Sequence, residues 1–484
     1  MILGCWRSVW CSSLGLIGVS LLMIGCASNP VTGKTDFVMM SEDQEIALGR
    51  QYHQSVLKEF DVYENPELQS YVSRIGEALA RDSHRKDLVF HFTLLDSPTV
   101  NAFALPGGYV YITRGIMSYM NSEAHLAGVL GHEIGHVTAR HSVRQHSQAT
   151  LAGILGSVIT AQTGSQSVGD LSNLLGTAWI RGYGRKHELE ADRLGAEYLA
   201  LTGYDPEDMI GVIGILKSQE EFEAARAQEE GREARSYHGV FATHPDNDDR
   251  LKEVVRAADR FRTTDVTPPD REAFLKRLDG MTFGPGEAQG VFRGTQFYHK
   301  AMDFTLRFPD GWQVENRPDR LVAVSSDNNA AIQLGSQDLN RRESPREFLE
   351  DQFSDLQDGQ VIDGSLPGYT GIARLNTPFG QRPSRVAAVF HEKRVFILLG
   401  AQRDGVLQKP FIDTVKSLRR LRDDEIALAA ERRIQLARAK PGDTFAKLAE
   451  QTTLSNHAED QLRLLNGMYP DGEPEPGQLI KLVK

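Results

Sequence analysis

The 484 residues are enough for two or three domains, each with a core of its own. Charged residues at 25% and hydrophobic ones at 40% describe an ordinary folded chain, not a disordered or many-span membrane protein. A net charge of −11, with no long basic run, argues against a nucleic-acid partner.

In chain order, residues 1–25 read as an export signal: Arg7, then an apolar run from Leu14 to Ile24, then small Gly25 before Cys26. Leu22-Met23-Ile24-Gly25-Cys26 resembles a lipobox, which makes Cys26 the expected lipidation site. Ala27, where an aspartate would retain a lipoprotein at the inner membrane, points to anchorage on the outer membrane, facing the periplasm. No other stretch reaches the 18–20 or so apolar residues that a membrane span needs. Ser41 with Gln44 has the form of a capping box opening a helix that runs to about Val62, and a second helix covers Pro66–Arg81. Val89–Leu95 alternates as a strand. Asn101–Ile112 reads as two short strands around Pro106-Gly107-Gly108, and Glu123–Gln145 as one helix. Leu151–Ala161 is apolar but short, a buried helix or a flap. Arg185–Leu201 is a helix ended by Gly203; a further helix opens at Asp205-Pro206, and Thr243-His244-Pro245 is a turn.

Residues 263–293 read as a linker with Pro268-Pro269. Alternating strands with two helices then mark an α+β domain over 294–421 without a chemical motif. Residues 422–433 read as a helical linker, and 434–484 as a small last module.

The chemistry concentrates at His132-Glu133-Ile134-Gly135-His136. Residues four apart on a helix differ by only ~40° in direction, so His132 and His136 reach one point. Neutral imidazoles so placed suit zinc, and Glu133 stands beside the ion, positioned to accept a proton from activated water. The third histidine of the H-x-x-G-x-x-H spacing is missing, which excludes that zinc-protease class. On a continuous helix His141 lies about 140° away from His136 and reads as surface or supporting, as do His125 and His146. Glu188 and Asp192 share a helical face, while Glu190 points elsewhere. Either carboxylate could ligate the metal with the other orienting a histidine, and both could be ordinary solvated charges; spacing does not choose.

Taken with Asn101-Ala-Phe-Ala-Leu-Pro-Gly-Gly and Glu188-Leu-Glu-Ala-Asp192, the motif resembles the zinc metalloproteases of the HtpX and BepA type, a gluzincin family that includes the CAAX prenyl protease. The resemblance covers roughly Asn29–Phe261. It implies a mostly helical, zincin-type domain over 26–262 with a small β element and one zinc. It further implies His132, His136 and Glu188 as ligands, Glu133 as general base and Asp192 behind the ligands. Asn101, Ala102, Phe103 and Ala104 would be the edge strand along which an extended substrate pairs. Without membrane helices around its core, the chain is similar to the lipoprotein branch. His244 matches a histidine of that branch, implying oxyanion stabilisation or closure of zinc's fourth position, with Arg250 in support. The last module resembles LysM, a βααβ unit, which implies peptidoglycan as a possible partner. The expectation is a multidomain envelope endopeptidase acting on misfolded or stalled proteins. A rival is a latent or non-proteolytic assembly factor for outer-membrane proteins, and a lesser one is peptidoglycan hydrolysis.

Overall fold

The computed structural model describes residues 26–148, 150, 184–229, 250, 254, 256, 259–261, 269–317, 319–454 and 456–484. The chain forms two compact units, one from Met1–Met281 with Ile434–Lys484 and one from Thr282–Arg433.

In the first unit a short pair, β1 (Cys26–Ser28) and β2 (Thr35–Phe37), precedes helix α1 (Glu42–Glu59). Ser41 and Gln44 make the expected reciprocal cap of α1. Helix α2 (Pro66–Arg81) starts on Asn65 and buries Leu68, Val72, Ile75 and Leu79, a stripe at helical spacing. Strands β3 (His91–Leu95), β4 (Ala102–Leu105) and β5 (Tyr109–Thr113) form one sheet in the order β3-β5-β4, with β3 parallel and β4 antiparallel to β5. That order leaves β4 on the outside. The Pro106–Gly108 turn before β5 holds Gly107 at φ 74°, where a Cβ would stand 2.8 Å from the Ile46 Cα.

Helix α3 (Arg114–Tyr119) leads to α4 (Glu123–Thr138), which Ser122 caps. Every residue of α4 from Leu126 to Thr138 is buried, so this helix is enclosed rather than amphipathic. Helix α5 (Arg185–Leu201) crosses it closely. The crossing depends on glycine: a Cβ on Gly135 would lie 3.0 Å from the Ala191 carbonyl oxygen, and one on Gly195 3.1 Å from the His132 nitrogen. Among the described residues helices α6 (Asp208–Glu229) and α7 (Arg271–Leu278) follow.

The returning segment contributes Ile434–Arg438 of β17 (Arg432–Arg438), α10 (Phe445–Ala449), α11 (Ala458–Leu465) and β18 (Leu479–Val483). Strand β18 is buried throughout and pairs antiparallel with β17. Its Lys481 Nζ donates to the Ser118 and Met120 carbonyls at the end of α3, at 2.5 and 2.8 Å. The Asn121 amide donates to the Leu465 carbonyl, and Arg271 to that of Leu479.

In the second unit, β6 (Thr282–Phe283) is followed by the three-stranded sheet β7 (Val291–Arg293), β8 (Gln296–His299) and β9 (Phe304–Arg307). A seven-stranded antiparallel sheet follows, built from β10 (Gln313–Arg317), β11 (Arg320–Val324), β12 (Ala330–Asp338), β13 (Gln357–Ile362), β14 (Gly368–Thr377), β15 (Gly380–His391) and β16 (Arg394–Gln402). Helices α8 (Pro345–Gln352) and α9 (Lys409–Ser417) cover opposite faces. The two-residue period of a strand explains this: Ala387 and Val389 pack with Phe411 of α9, while Val386 and Ala388 pack with Phe348 of α8.

Three expectations change. The 123–145 helix breaks after Thr138, where Arg140 takes φ 54° and helix resumes at His141. The buried Arg140 guanidinium donates to Glu45 Oε2 and the Met40 carbonyl, and this anchorage holds the turn. The 263–293 stretch is not linker throughout, because Asp270 caps α7 and Phe274, Leu275 and Leu278 are buried. Residues 422–433 are not a helix. Glu425 gathers the Arg419 and Arg422 guanidiniums and the Arg422 backbone N–H, which curls Asp423–Glu425 into a single tight turn. The apolar 151–161 run and His244 lie outside the described residues.

Candidate metal centre

Helices α4 and α5 bring three side chains to one point. The Nε2 atoms of His132 and His136 face each other at 2.9 Å, and the two Glu188 oxygens lie 3.5 Å from them, one from each. Donors held ~2.0–2.1 Å from one tetrahedral zinc would stand about 3.3 Å apart, so this set fits the ion. All three are buried, Glu188 completely. Such a carboxylate facing two imidazole nitrogens in a dry interior suits a cation far better than a solvated surface role.

Asp192, one turn beyond Glu188, instead meets the far side of His132, with Oδ1 2.8 Å from Nδ1. Arg250 grips that carboxylate with both Nε and Nη2 at 2.8 Å, and its Nη1 lies 3.5 Å from Glu188. The geometry thus separates two carboxylates that spacing left equivalent. Burial would lower the His132 pKa, but Asp192 and Glu188 outweigh it and raise the ring to about 9 in the metal-free protein. Burial alone would raise Asp192, yet the adjacent Arg250 and His132 hold it below the usual carboxylate range. Glu133 is buried between these groups along α4, and its charge helps to hold Arg250 protonated.

The other candidate ligand, His136, is supported differently. His136 Nδ1 lies 2.8 Å from His141 Nδ1, and His141 Nε2 lies 3.1 Å from Glu190 Oε2. Arg144 reaches the same Glu190 oxygen at 3.2 Å, and the His187 ring stacks on His141 at 4.3 Å. The hydrogen bond from His141 comes first among the causes that push Glu190 down to about 2. Sequence reading leaves His141 open between surface and support and turns Glu190 elsewhere; the structure gives His141 the supporting place, because the turn at Arg140 cancels the offset of a continuous helix. No glycine announces that turn.

Asn101 and the outer strand Ala102–Ala104 lie beside α4, with the Phe103 ring stacked on Tyr111 at 4.7 Å. His125 and His146 stay apart from the three-ligand cluster, which is formed by His132, His136 and Glu188.

The family model for Peptidase family M48 matches residues 66–258. The chain is 29% identical to the beta-barrel assembly-enhancing protease of Yersinia pestis over 262 residues, 52% of each chain. It is 30% identical to the putative beta-barrel assembly-enhancing protease of Vibrio cholerae over 47% of this chain and 46% of the relative. It is 33% identical to the mitochondrial metalloendopeptidase OMA1 of Arabidopsis thaliana over 31% of this chain and 30% of the relative. The chain therefore spans about half the length, or less, of the curated relatives it matches. The matched stretch contains His132, Glu133 and His136 of α4 with Glu188 and Asp192 of α5, so over residues 66–258 this chain is similar to peptidase family M48.

Proposed function

We propose that the chain is a zinc-dependent endopeptidase of the bacterial cell envelope. The observation that carries this reading is the convergence of His132, His136 and Glu188, from two helices, on one buried point beside Glu133. Zinc held there would polarise a peptide carbonyl and lower the pKa of water to about 7. Glu133 accepts the proton of the attacking water and returns it to the leaving amine. Asp192, steadied by Arg250, fixes the His132 ring so that Nε2 faces the metal. The outer edge of β4, from Asn101 to Ala104, pairs with an extended peptide and so selects unfolded segments. His244, which lies outside the described residues, enters this reading through the resemblance alone, as the group that would steady the oxyanion or close the fourth ligand position in a resting form.

Relatives named for β-barrel assembly support envelope proteins, outer-membrane ones included, as the substrate class. No helix among the described residues is long and apolar enough to cross a membrane. The anchor in this reading is lipid on Cys26, which rests on the lipobox-like stretch Leu22–Cys26. The β-α-α-β order after Ile434 supports a LysM-like segment with peptidoglycan as a further partner. The assembly-enhancing role in the relatives' names favours a second reading, an assembly factor for β-barrel proteins, to which latency of the peptidase is this reading's own addition.

The test is casein cleavage and zinc content for residues 27–484, wild type beside Glu133→Gln and His244→Ala. One zinc in both wild type and Glu133→Gln, with cleavage only in the former, supports the peptidase. Activity appearing only in His244→Ala supports latency. No bound zinc overturns the metal site. Cys26→Ser that stays on membranes overturns the anchor.

A further inference from the structure

We propose that His141 and Glu190 form a proton-ordered relay that orients His136, and that the two zinc-ligating histidines are thereby supported by different devices. The inference rests on the metal reading above, and it follows from the direction in which each ring must donate. His136 Nε2 faces the His132 Nε2 and Glu188, so its lone pair points to the ligand cluster and its proton must be on Nδ1. That proton is donated to His141 Nδ1, 2.8 Å away, which must therefore be an acceptor. A neutral imidazole that accepts at Nδ1 carries its proton on Nε2, and His141 Nε2 points at Glu190 Oε2, 3.1 Å away. Only one arrangement of protons satisfies the chain: His136 Nδ1–H to His141, and His141 Nε2–H to Glu190.

A ligating histidine ordinarily gives its second N–H directly to a carboxylate or carbonyl. His132 does so, with Asp192. At His136 a neutral ring is interposed, and the carboxylate stands one residue farther away. His141 is fully buried, and its plane is fixed by stacking on His187 at an interplanar angle of 18°. Glu190 is held in turn by Arg144, which also reaches Asp36 at 3.4 Å. His141 and Glu190 are thus positioning residues. The segment at Asp36 is linked through them to the metal, which makes the N-terminal β1–β2 region part of the support for the site.

The experiment measures zinc dissociation constants by chelator competition, and thermal midpoints of the metal-free forms. The proteins are wild type, His141→Leu, His141→Asn, Glu190→Ala and Glu190→Gln, all as residues 27–484. Asparagine places an acceptor oxygen near the former Nδ1, whereas leucine places none. The expected result is a 10–100-fold weaker affinity for His141→Leu, at least partly restored in His141→Asn. Both variants lose the stacked ring, so their metal-free midpoints should fall alike. Glu190→Ala should weaken zinc and Glu190→Gln, which keeps an accepting oxygen, should weaken it less. Equal affinities for His141→Leu and His141→Asn, or wild-type affinity in Glu190→Ala, overturn the relay. If His141→Leu does not fold, the Glu190 pair decides. Wild type that binds no zinc overturns the metal reading itself, a result distinct from failure of the relay.

Discussion

Replacing Gly195 by alanine tests whether the helix crossing sets the metal geometry. A Cβ there would stand 3.1 Å from the His132 nitrogen and 3.3 Å from both the Gly131 carbonyl carbon and the His132 Cα. These are backbone atoms of an enclosed helix and have no rotamer to change. Since comfortable contact begins near ~3.5 Å, α5 must retreat by about 0.4 Å. Overpacking of this kind costs about 1–3 kcal/mol, against a helix-propensity gain of roughly 1 kcal/mol for replacing glycine. Gly214, in α6, is the control, because nothing lies within 4 Å of its added Cβ. Gly214→Ala should therefore stabilise by up to about 1 kcal/mol, while Gly195→Ala should be neutral or destabilise by up to ~2 kcal/mol. Glu188 lies two turns from Gly195 on the same side of α5 and should move with it. Ligand distances tolerate only about ±0.2 Å, so zinc affinity should fall by roughly tenfold in Gly195→Ala alone. Urea unfolding of the metal-free proteins and chelator competition read the two effects. If the two variants are equally stable and bind zinc as wild type does, the glycine contact does not set the site.

Three further outcomes are expected. With the His132 pKa raised to about 9 in the metal-free protein, zinc must displace a proton at neutral pH. Apparent affinity should then rise by about tenfold per unit between pH 6 and 9, and a flat chelator titration would refute the coupling. Lys481 is fully buried, and burial, with the Arg271 charge, holds its pKa well below 10.5. Between its folded pKa and 10.5 the unfolded chain binds more protons, so stability rises with pH there and is lost as pH falls through the folded value. The stability difference between wild type and Lys481→Met should accordingly grow from pH 7 to 10; denaturant midpoints that move in parallel would contradict this. Glu45 is buried against both Arg85 and Arg140, at 2.7 and 2.8 Å. Glu45→Ala should cost about 3–5 kcal/mol by leaving the buried Arg140 guanidinium with only the Met40 carbonyl and Arg85 with only Glu42 and the Val137 carbonyl, measured as the loss in urea unfolding free energy; a loss below about 1 kcal/mol would mean the cluster contributes little.

Local signals were legible where the chemistry is local. The helix Arg185–Leu201 appears with the bounds its periodicity indicates, and the Ser41 cap forms as written. The i,i+4 histidines converge because helical geometry alone decides it. What depends on tertiary contact was not legible. Glu188 and Asp192 differ only in the side of His132 that each meets, which no spacing encodes. His141 turns inward because Glu45, far away in sequence, captures Arg140. Lys481, in an alternating strand, looks like a solvated position, yet it ends on two buried carbonyls. Likewise the charges of 422–433 suit a helix until Glu425 finds Arg419, a partner just outside that stretch.

The unit that holds the metal centre leaves off at Met281 and resumes at Ile434. During synthesis the zinc-motif helix therefore emerges long before strand β18, which supplies the lysine under α3. Until that strand arrives, the carbonyls of Ser118 and Met120, just ahead of the cap of α4, lack their buried partner. A nascent chain so arranged cannot complete this unit early: the intervening β-rich unit must first be made. The order of the polypeptide thus makes the unit with the candidate metal site discontinuous, its last buried strand being added only after the intervening unit has been made.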